Sequence, residues 1–351
     1  MKRSITAAII GATGYGGVGA IEILVRHPNV TITSLHAVAD VGKRIDEVYP
    51  HLTGVCDKVI QPADAPIKAD VVFFATPDGV GMKEARTYVK AGSRIIDYSG
   101  DFRFNTPALY AQYAARIGKE TTHAAEDLLA SSVYGLAELH RDEIKNAAIV
   151  GNPGCFAVSA ILGAAPAVKS GIIDTKTMIF DAKSGVSGAG KKVNPIYHYP
   201  HRYEEMNAYK IGKHQHVMEV ERELSAAAGS DITVTFTAQV FPVVRGIMTS
   251  VYARLNEGVT YEKALDVFKS FYANEPFVTV YGEKESVGNR SVRGSNRCAV
   301  WVNVDRRTNT LIILSHIDNL LKGQAGSAVQ NMNIMMGLPE TEGLTFIGSY
   351  P

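Results

Sequence analysis

The chain opens on apolar positions that run directly into glycines. Residues 5–10 are apolar apart from Thr6, as is typical of a central parallel strand covered on both faces. Residues 18–26 then carry apolar side chains at helical spacing, and Pro28 ends the helix because proline cannot continue one. Further strands are expected at 31–37, 70–75 and 94–98, with a helix at 79–91. This alternation predicts an α/β, Rossmann-type doubly wound domain.

The pattern changes after about residue 156. Helices are expected over 156–169, 217–227 and 261–272, and strands over 177–182, 232–240, 249–255, 298–304 and 310–315. Several strands alternate apolar with polar residues, which favours a mixed or antiparallel sheet in an α+β domain. A last apolar stripe at helical spacing covers 319–336 and needs a surface to cover.

Composition narrows the class of protein. The 351 residues exceed the usual size of one core, so two domains are expected. Hydrophobic residues make up 46% and charged residues 20%, and the chain has no apolar run of about 18 residues, which argues against disorder and a membrane span. The formal net charge of +1 supplies no broad field for nucleic acid or anionic lipid. We therefore expect a small-molecule ligand, with no nucleic acid or membrane as partner.

Cysteine usage and the N-terminus predict a cytoplasmic protein. Cys56, Cys155 and Cys298 are odd in number, far apart and never in a CxxC arrangement, so neither a disulfide framework nor a zinc site is indicated. The chain begins MKRSITAAIIGATG. This start superficially resembles a secretory leader, but its apolar stretch runs into glycines rather than a cleavage site, so we interpret it as the first strand.

The glycines after the first strand predict a dinucleotide site. Gly11, Gly14 and Gly17 stand between a predicted strand and a predicted helix. Glycine permits a tight turn and a close approach to a pyrophosphate, which the N–H groups of the helix N-terminus attract. Thr13 and Tyr15 lie inside this turn and are included as expected cofactor contacts. The alternative is a strand-to-helix turn with a purely structural role.

The residues after the second strand favour NADP over NAD. NAD sites usually place Asp or Glu at the end of that strand to bind the ribose hydroxyls. Here the strand from Ser34 onward meets no carboxylate before Asp40, and Lys43 and Arg44 follow. We expect Ser34, Lys43 and Arg44 to contact the cofactor, with the two cations near a 2′-phosphate. The alternative is that both cations lie on a solvated loop.

A turn-forming segment delivers Cys155 to the start of an apolar helix. Residues 151–154 read GNPG. A helix N-terminus lowers the pKa of a thiol and presents N–H groups that can hold an oxyanion, so we predict that Cys155 is a nucleophile. The alternative is a small buried thiol that fills a gap in the core, which is our interpretation of Cys56 and Cys298.

A nucleophilic thiolate needs a proton shuttle near neutral pH, which histidine provides. His214 and His216 immediately precede a predicted helix, and Glu219 follows one turn after His216. The same residues resemble metal ligands, but no third cluster completes such a site, so no metal is expected. The remaining alternative is a solvated polar loop.

Two further segments have the composition of ligand loops. Residues 97–103 follow the end of a strand, where ligands bind in open α/β folds, and Arg103 can contact a carboxylate or phosphate with two hydrogen bonds. Residues 184–192 are rich in glycine and carry hydroxyls together with Lys191 and Lys192, which are able to surround an anion. The alternative for each is an exposed flexible loop.

Taken together, these stretches resemble the N-acetyl-γ-glutamyl-phosphate reductases, a family within the aspartate-semialdehyde dehydrogenase superfamily. The resemblance runs from end to end, through GATGYGG, DYSGDFR, YGLAE, NPGCF, SGVSGAGKK, KHQHVMEVE, PVVRG and DNLLKGQAGSAVQ. One departure is Gln215, which stands between the two histidines where the family usually has arginine.

The resemblance implies NADPH-dependent reduction of N-acetyl-γ-glutamyl phosphate to N-acetyl-glutamate 5-semialdehyde and phosphate, through a cysteine thioester, in arginine biosynthesis. It also implies a homodimer or homotetramer. Three alternatives stay open at this point. They are reduction of the longer aminoadipyl phosphate in lysine biosynthesis, a non-redox cysteine acyltransferase or hydrolase, and a catalytically silent dinucleotide sensor.

The resemblance also assigns roles to residues. It implies that Cys155 is acylated and that His216 is the base, with substrate contacts from His214, Arg103, Arg245 and Glu219, and cofactor contacts from Ser184, Gly185 and Asn319. It divides the chain into a dinucleotide-binding domain of residues 1–154 with 318–351, and a catalytic and oligomerisation domain of residues 155–317. The final helix then returns to the first domain.

Overall fold

The computed structural model describes residues 4–348 and divides the chain into two compact units. The first unit is the chain through Gly154 together with Gln324–Phe346, and the second is Cys155–Gly323 with the chain from Ile347 onward. The chain re-enters the first unit at Gln324, whereas the sequence analysis places that crossing at residue 318. Residues 318–323 stay with the second unit because Asn319 is hydrogen-bonded to Gly246, at 2.7 Å.

The strands are numbered in chain order across both units. They are β1 Ile5–Ile10, β2 Val30–Ala37, β3 Ile60–Pro62, β4 Val71–Phe74, β5 Arg94–Asp97, β6 Ser132–Tyr134, β7 Ile149–Gly151, β8 Ile173–Gly185, β9 Asn207–Tyr209, β10 Thr235–Phe241, β11 Ile247–Leu255, β12 Val278–Tyr281, β13 Cys298–Asp305 and β14 Thr310–Ile317.

The α-helices follow the same numbering. They are α1 Tyr15–Leu24, α2 Ile45–Val48, α3 Gly81–Lys90, α4 Pro107–Arg116, α5 Glu126–Leu129, α6 Ala137–Asn146, α7 Cys155–Lys169, α8 Tyr199–Arg202, α9 Val217–Ala228, α10 Tyr261–Phe271 and α11 Gly326–Met335. Within residues 4–348, no helix has both the length and the apolar composition needed to cross a bilayer.

The first unit is built on a parallel sheet with the order β3-β2-β1-β4-β5-β7-β6. Its central strand β4, Val71–Phe74, is apolar and buried at every position, as expected for a sheet covered on both faces. The predicted Rossmann-type fold is therefore confirmed, and β1 has the predicted bounds.

Close backbone packing explains two of the three fingerprint glycines. Gly11 has φ +87°, and a Cβ there would lie 2.3 Å from the carbonyl oxygen of Ala75. A Cβ on Gly17 would lie 2.3 Å from the carbonyl oxygen of Gly11. Only glycine fits either position without moving backbone. Helix α1 begins at Tyr15, earlier than the predicted residue 18, because its first turn contains two glycines, which contribute no apolar side chain to a periodic pattern.

The second unit contains a mixed sheet with the order β12-β13-β14-β11-β8-β10-β9. β8 pairs antiparallel with β11 and parallel with β10, so the predicted mixed sheet is confirmed. β8 begins at Ile173, earlier than the predicted residue 177. Residues 174–177 are all polar and are exposed or half-buried, so they lack the apolar side chains from which a strand is predicted. Helix α7, buried from Phe156 to Val168, packs against β8, β11 and β14.

The last α-helix, α11, belongs to the first unit. The predicted helix over 319–336 is divided into a π-helix, Leu321–Ala325, and α11, all of whose residues are buried. α11 packs against α1 and α6. Polar contacts fix it in place: Asn333 Oδ1 lies 3.0 Å from His27 Nε2, and Asn331 Nδ2 donates to the Gly135 carbonyl at 2.8 Å.

Candidate active site

Cys155 is the first residue of α7 and follows β7 after the three-residue turn 152–154. The turn is anchored by Asn152, whose backbone N–H donates to the Asp97 carbonyl at 2.7 Å and whose Nδ2 donates to the Gln324 carbonyl at 3.0 Å. Cys155 is partly exposed. A thiol at this position faces the unsatisfied N–H groups and positive dipole end of a 15-residue helix.

Gly323, in the π-helix, packs directly against the nucleophile. A Cβ on Gly323 would lie 2.8 Å from Cys155 Cβ and 3.3 Å from its Cα. Real Cβ atoms do not approach this closely, so a side chain at 323 would displace Cys155. The absence of a side chain at this position therefore helps to define where the sulfur lies.

Cys155 opens into a cavity of about 430 Å³. All of the lining residues belong to the second unit and come from the start of α7, the end of β8 and the turn after it, the segment around β9, residues 214–216 and β10. They are Cys155, Phe156, Ser184, Gly185, Val186, Gly188, Ala189, Ile196, Tyr197, Tyr209, Lys210, His214, Gln215, His216 and Val240. The structure thus brings together five predicted site residues: Cys155, Ser184, Gly185, His214 and His216.

The two imidazoles stand edge to face, with ring centroids 4.9 Å apart. The backbone N–H of His216 donates to His214 Nδ1 at 3.3 Å, and His214 Nε2 lies 3.3 Å from the Tyr209 hydroxyl. A neutral ring that accepts at Nδ1 carries its proton at Nε2. His214 is therefore held by protein partners at both nitrogens, in one tautomer.

Glu219 lies beneath the histidine pair and does not line the cavity. Its side chain is fully buried, and Oε1 lies 4.0 Å from His216 Nε2. The spacing of three residues at the start of α9 places the two side chains on one helical face. This position suits a carboxylate that orients His216, rather than the direct substrate contact expected from the resemblance.

Tyr209 and Lys210 are site residues that the sequence analysis missed. Burial raises the pKa of the Tyr209 hydroxyl, and the negative charge of the nearby Cys155 thiolate raises it further. Lys210 is exposed and adopts φ +47°, and its Nζ donates to Gln215 Oε1 at 3.0 Å. Both lie at the end of the three-residue strand β9, which has no sequence signature of its own. Their proximity to the predicted histidines was the available signal.

The glycine-rich segment reaches the Cys155 cavity at its start but not at its end. Ser184 and Gly185 line the cavity, and a Cβ on Gly185 would lie 2.7 Å from the Val244 carbonyl oxygen. Lys191 and Lys192, expected to surround an anion, are exposed and do not line the cavity. The chain turns outward after Gly190, which has φ +80°.

Asn319 ties two loops of the second unit together. Its Oδ1 accepts from the Gly246 N–H at 2.7 Å, and its Nδ2 donates to Ser187 Oγ at 3.0 Å. Arg245 lies beside it, with Nη1 3.7 Å from Asp318 Oδ2. Arg245 lines a separate open cavity of about 950 Å³, rather than the cavity of Cys155.

Arg103 is buried in the first unit. Its Nε donates to the Asn152 carbonyl at 2.8 Å, and its Nη2 donates to the Tyr98 carbonyl at 2.6 Å. The guanidinium also faces Asp97, whose pKa is raised well above its usual value by burial and then by the charge of Asp101. Arg103 therefore organises the loop that anchors the turn before Cys155, and a direct contact with substrate stays a prediction.

The glycine turn of the first unit provides a site for a diphosphate. Gly14 precedes α1, and the Thr13 carbonyl accepts a hydrogen bond from the Tyr49 hydroxyl at 2.7 Å, which fixes the turn. The start of this ten-residue helix offers N–H groups to an anion without an intervening side chain. These residues fit the pyrophosphate of a dinucleotide.

Both cations predicted near the ribose are exposed and paired with acids. Lys43 Nζ lies 2.8 Å from Asp40 Oδ1, and Arg44 forms an ion pair with Asp46. The Ser34 hydroxyl, in the middle of β2, lies 2.8 Å from His36 Nε2. A 2′-phosphate would therefore compete with Asp40 and Asp46 for these cations. Across residues 4–348, no cluster of three or more His, Cys, Asp or Glu side chains has the geometry to hold a metal ion.

Comparison with known proteins identifies relatives of both units. Residues 6–147 match a family model described as the NAD binding domain of semialdehyde dehydrogenase, and residues 155–319 match one described as its dimerisation domain. N-acetyl-gamma-glutamyl-phosphate reductase of Desulforamulus reducens is 42% identical over 99% of this chain and 100% of its own. The enzyme of that name from Bacillus mycoides is 42% identical over 98% of this chain and 99% of its own.

Solved structures share the fold. Aspartate semialdehyde dehydrogenase II of Vibrio cholerae, in complex with ASA, aligns with a TM-score of 0.73 and 17% identity over 96% of this chain and 99% of its own. Aspartate semialdehyde dehydrogenase of Candida albicans, with NADP, aligns with a TM-score of 0.66 and 16% identity over 95% of this chain and 98% of its own.

Proposed function

The chain belongs to the N-acetyl-gamma-glutamyl-phosphate reductase family, and on that basis we propose that it reduces N-acetyl-γ-glutamyl phosphate to N-acetyl-glutamate 5-semialdehyde and phosphate, the reductase step of arginine biosynthesis. One observation carries the mechanism: Cys155 stands at a helix N-terminus and opens into a cavity shared with two imidazoles. This arrangement suits acyl transfer to sulfur followed by reduction.

Acyl transfer uses the N-terminus of α7. The Cys155 thiolate attacks the γ-carbonyl carbon of the acyl phosphate, the C–O bond to phosphate breaks, and a thioester remains. The N–H groups in the first turn of α7 stabilise the oxyanion that forms during the attack. Cys155 is partly exposed and lines a cavity, which gives a substrate access to the residue.

Reduction requires a hydride at the thioester carbon, which a reduced nicotinamide cofactor supplies when bound. His216, as its imidazolium, protonates the carbonyl oxygen to give a thiohemiacetal. The neutral ring then removes the hydroxyl proton as the C–S bond breaks, which releases the aldehyde and regenerates the thiolate. Glu219, 4.0 Å from His216 Nε2, orients the ring and stabilises its charged form.

The histidine pair has distinct roles in this proposal. His214 is bound at both ring nitrogens by protein groups, so it is poorly placed to exchange protons with substrate. His216 lines the same cavity as Cys155, and its Nε2 lies 4.0 Å from a carboxylate oxygen of Glu219, which stabilises the imidazolium form. We therefore assign the base to His216, with a positioning and substrate-contact role for His214.

We propose that the first unit binds the cofactor and that the second carries catalysis and oligomerisation. The match to an NAD binding domain and to a dimerisation domain supports this division. Gly11, Gly14 and Gly17 hold the diphosphate, and we expect a homodimer or homotetramer. Three cysteines present as thiols rather than disulfides suit a cytoplasmic location.

The proposed cofactor is NADP. We expect kcat/KM for NADP to exceed that for NAD by about tenfold or more, because the end of β2 carries no carboxylate to repel a 2′-phosphate and two cations follow it. Steady-state kinetics with each cofactor at equal concentration measures this ratio. Replacing Lys43 and Arg44 together by glutamine should reduce the ratio toward one, and equal use of NAD by the unaltered protein would contradict the assignment.

The proposed reaction is tested in the direction of semialdehyde oxidation. We expect reduction of NADP by N-acetyl-glutamate 5-semialdehyde to depend on added phosphate, because phosphate must attack the thioester to release the acyl phosphate. The comparison substrate is the corresponding N-acetylated semialdehyde of the aminoadipyl series, which is one methylene longer. Faster turnover of the longer substrate would assign the chain to lysine rather than arginine biosynthesis, and turnover of neither would refute the proposal.

A further inference from the structure

The charge inside the Cys155 cavity is unusually simple. Among the lining residues, Lys210 carries the one permanent charge, and none is a carboxylate. The ligand of the proposed function is strongly anionic, because an acyl phosphate carries a phosphoryl group as well as a carboxylate. The cavity therefore offers a single fixed cation to a ligand with several negative charges.

Lys210 holds an uncommon backbone conformation. Its φ of +47° lies in the left-handed region, which residues with a Cβ seldom adopt. The strand β9 ends at Tyr209, and this conformation turns the chain immediately after it. The surrounding structure, rather than the preference of lysine, maintains this turn, and such positions concentrate at functional sites.

A neutral partner holds the ammonium group. Nζ of Lys210 donates to Gln215 Oε1 at 3.0 Å, and Gln215 also lines the cavity. Other lysines of this chain meet carboxylates instead: Lys43 pairs with Asp40, and Lys183 pairs with Asp181. An amide oxygen orients an ammonium group without cancelling its charge. The charge of Lys210 thus stays available to an anion.

We propose that Lys210 binds the phosphoryl group of the acyl phosphate, and inorganic phosphate in the reverse direction, with Gln215 as its positioning residue. This inference rests on the proposed function and adds a residue to the same site. A phosphoryl group carries nearly two negative charges near neutral pH, and the compact ammonium of lysine binds it as a point charge. A carboxylate is better matched by the planar fork of an arginine.

The principal test is the kinetics of Lys210→Gln in semialdehyde oxidation. We expect KM for inorganic phosphate to rise about tenfold or more, the effect of losing one charge-assisted contact. KM for the semialdehyde and Kd for NADP should stay within about twofold of the unaltered protein. An unchanged KM for phosphate would overturn the proposal, and a rise confined to KM for the semialdehyde would assign Lys210 to the carboxylate instead.

Two variants separate charge from side-chain loss. Lys213→Gln is the matched control, because Lys213 is exposed on the same loop and does not line the cavity, so its KM for phosphate should be unaltered. Lys210→Gln combined with Gln215→Arg returns a cation to the cavity wall and should recover most of the lost phosphate affinity. Lys210→Arg keeps a cation at the same position and is measured beside the double variant. If KM for phosphate stays raised in both variants, a charge-based role is excluded.

A separate prediction tests whether Gln215 acts by positioning Lys210. Gln215→Ala should raise KM for phosphate by less than Lys210→Gln does, and should add nothing when both changes are combined, because its effect passes through Lys210. Additive effects of the two changes would contradict the positioning role.

A measurement without turnover keeps this inference distinct from the proposed function. Inorganic phosphate should slow alkylation of Cys155 by iodoacetamide in the unaltered protein, and this protection should require about tenfold more phosphate in Lys210→Gln. If the unaltered protein turns over neither semialdehyde, the proposed function fails, whatever the protection shows. If it turns over and protection is the same in both proteins, the inference about Lys210 fails alone.

Discussion

Replacing Cys155 by alanine is expected to abolish turnover, with a loss on the order of 10⁴-fold or more, as is usual when an enzyme loses its nucleophile. The physical reason is that no other group at the start of α7 can form the thioester. The measurement is phosphate-dependent reduction of NADP by N-acetyl-glutamate 5-semialdehyde. NADP binding should be retained, because the glycine turn proposed to bind the cofactor lies in the first unit and Cys155 in the second.

The matched control for this change is Cys56→Ala. Cys56 is buried in the first unit, and its replacement should leave the rate within about twofold. Alkylation provides a second readout: Cys155 should react faster than Cys56 and Cys298, both of which are buried. Retention of activity by Cys155→Ala would exclude covalent catalysis at this residue.

The second large effect is expected for His216→Asn, with a loss of roughly 10² to 10⁴ in kcat, the usual contribution of a general acid or base. Asparagine keeps a polar side chain of similar size but cannot carry a proton between the oxygen and solvent. The pH dependence of kcat should flatten in this variant, because the group that titrates during turnover is absent. In the reductive direction, thioester formation is measured as a burst of phosphate release. This step should be slowed less by His216→Asn than the release of the aldehyde.

His214→Asn and Glu219→Gln complete this comparison. Glu219→Gln should cost less than His216→Asn, because it removes the carboxylate 4.0 Å from the ring and leaves the ring itself. His214→Asn should also cost less, since that ring is engaged by Tyr209 and by the backbone of residue 216. A larger loss from His214→Asn would mean that the two histidines exchange roles.

The sequence predicted the parts of the fold whose local pattern agrees with their tertiary environment. β1 is apolar apart from Thr6 and is buried from Ala7 to Ile10, so its local pattern agrees with its environment and predicts its bounds. α7 and α9 start where a turn or a histidine pair interrupts the apolar spacing, and both begin within one residue of the predicted position. Cys155 and His216 stand at these helix starts and line the cavity, so the same local pattern allowed them to be predicted as candidates.

Short and polar elements escaped prediction. β6 and β7 have three residues each, which is too short for a periodic signal, and their place is set by pairing with each other and with β5. α6 is mostly charged or polar, so it lacks a clear apolar face. These elements are defined by tertiary contacts that local sequence does not record.

The missed site residues have the same physical origin. Tyr209 and Lys210 reach the cavity because β9 pairs with the edge of β10, a contact between segments that are distant in sequence. Glu219 and Arg103 were found as chemically suitable residues, but burial decides what each can touch, and burial depends on the packing of the whole unit. Residue type and spacing therefore predicted the candidate residues, while distances in the folded chain show which of them line the cavity and which lie behind it.

The packing of Gly323 against Cys155 has a consequence for inhibition by electrophiles. A common route to resistance is to add bulk beside the attacked atom so that the inhibitor no longer fits. At position 323 that route is closed, because even a methyl group would lie 2.8 Å from Cys155 Cβ and would push the reactive sulfur out of place. A mutation at position 323 that prevented an inhibitor from reacting with Cys155 would therefore also impair the enzyme. A cell that carried it would then need arginine from its surroundings.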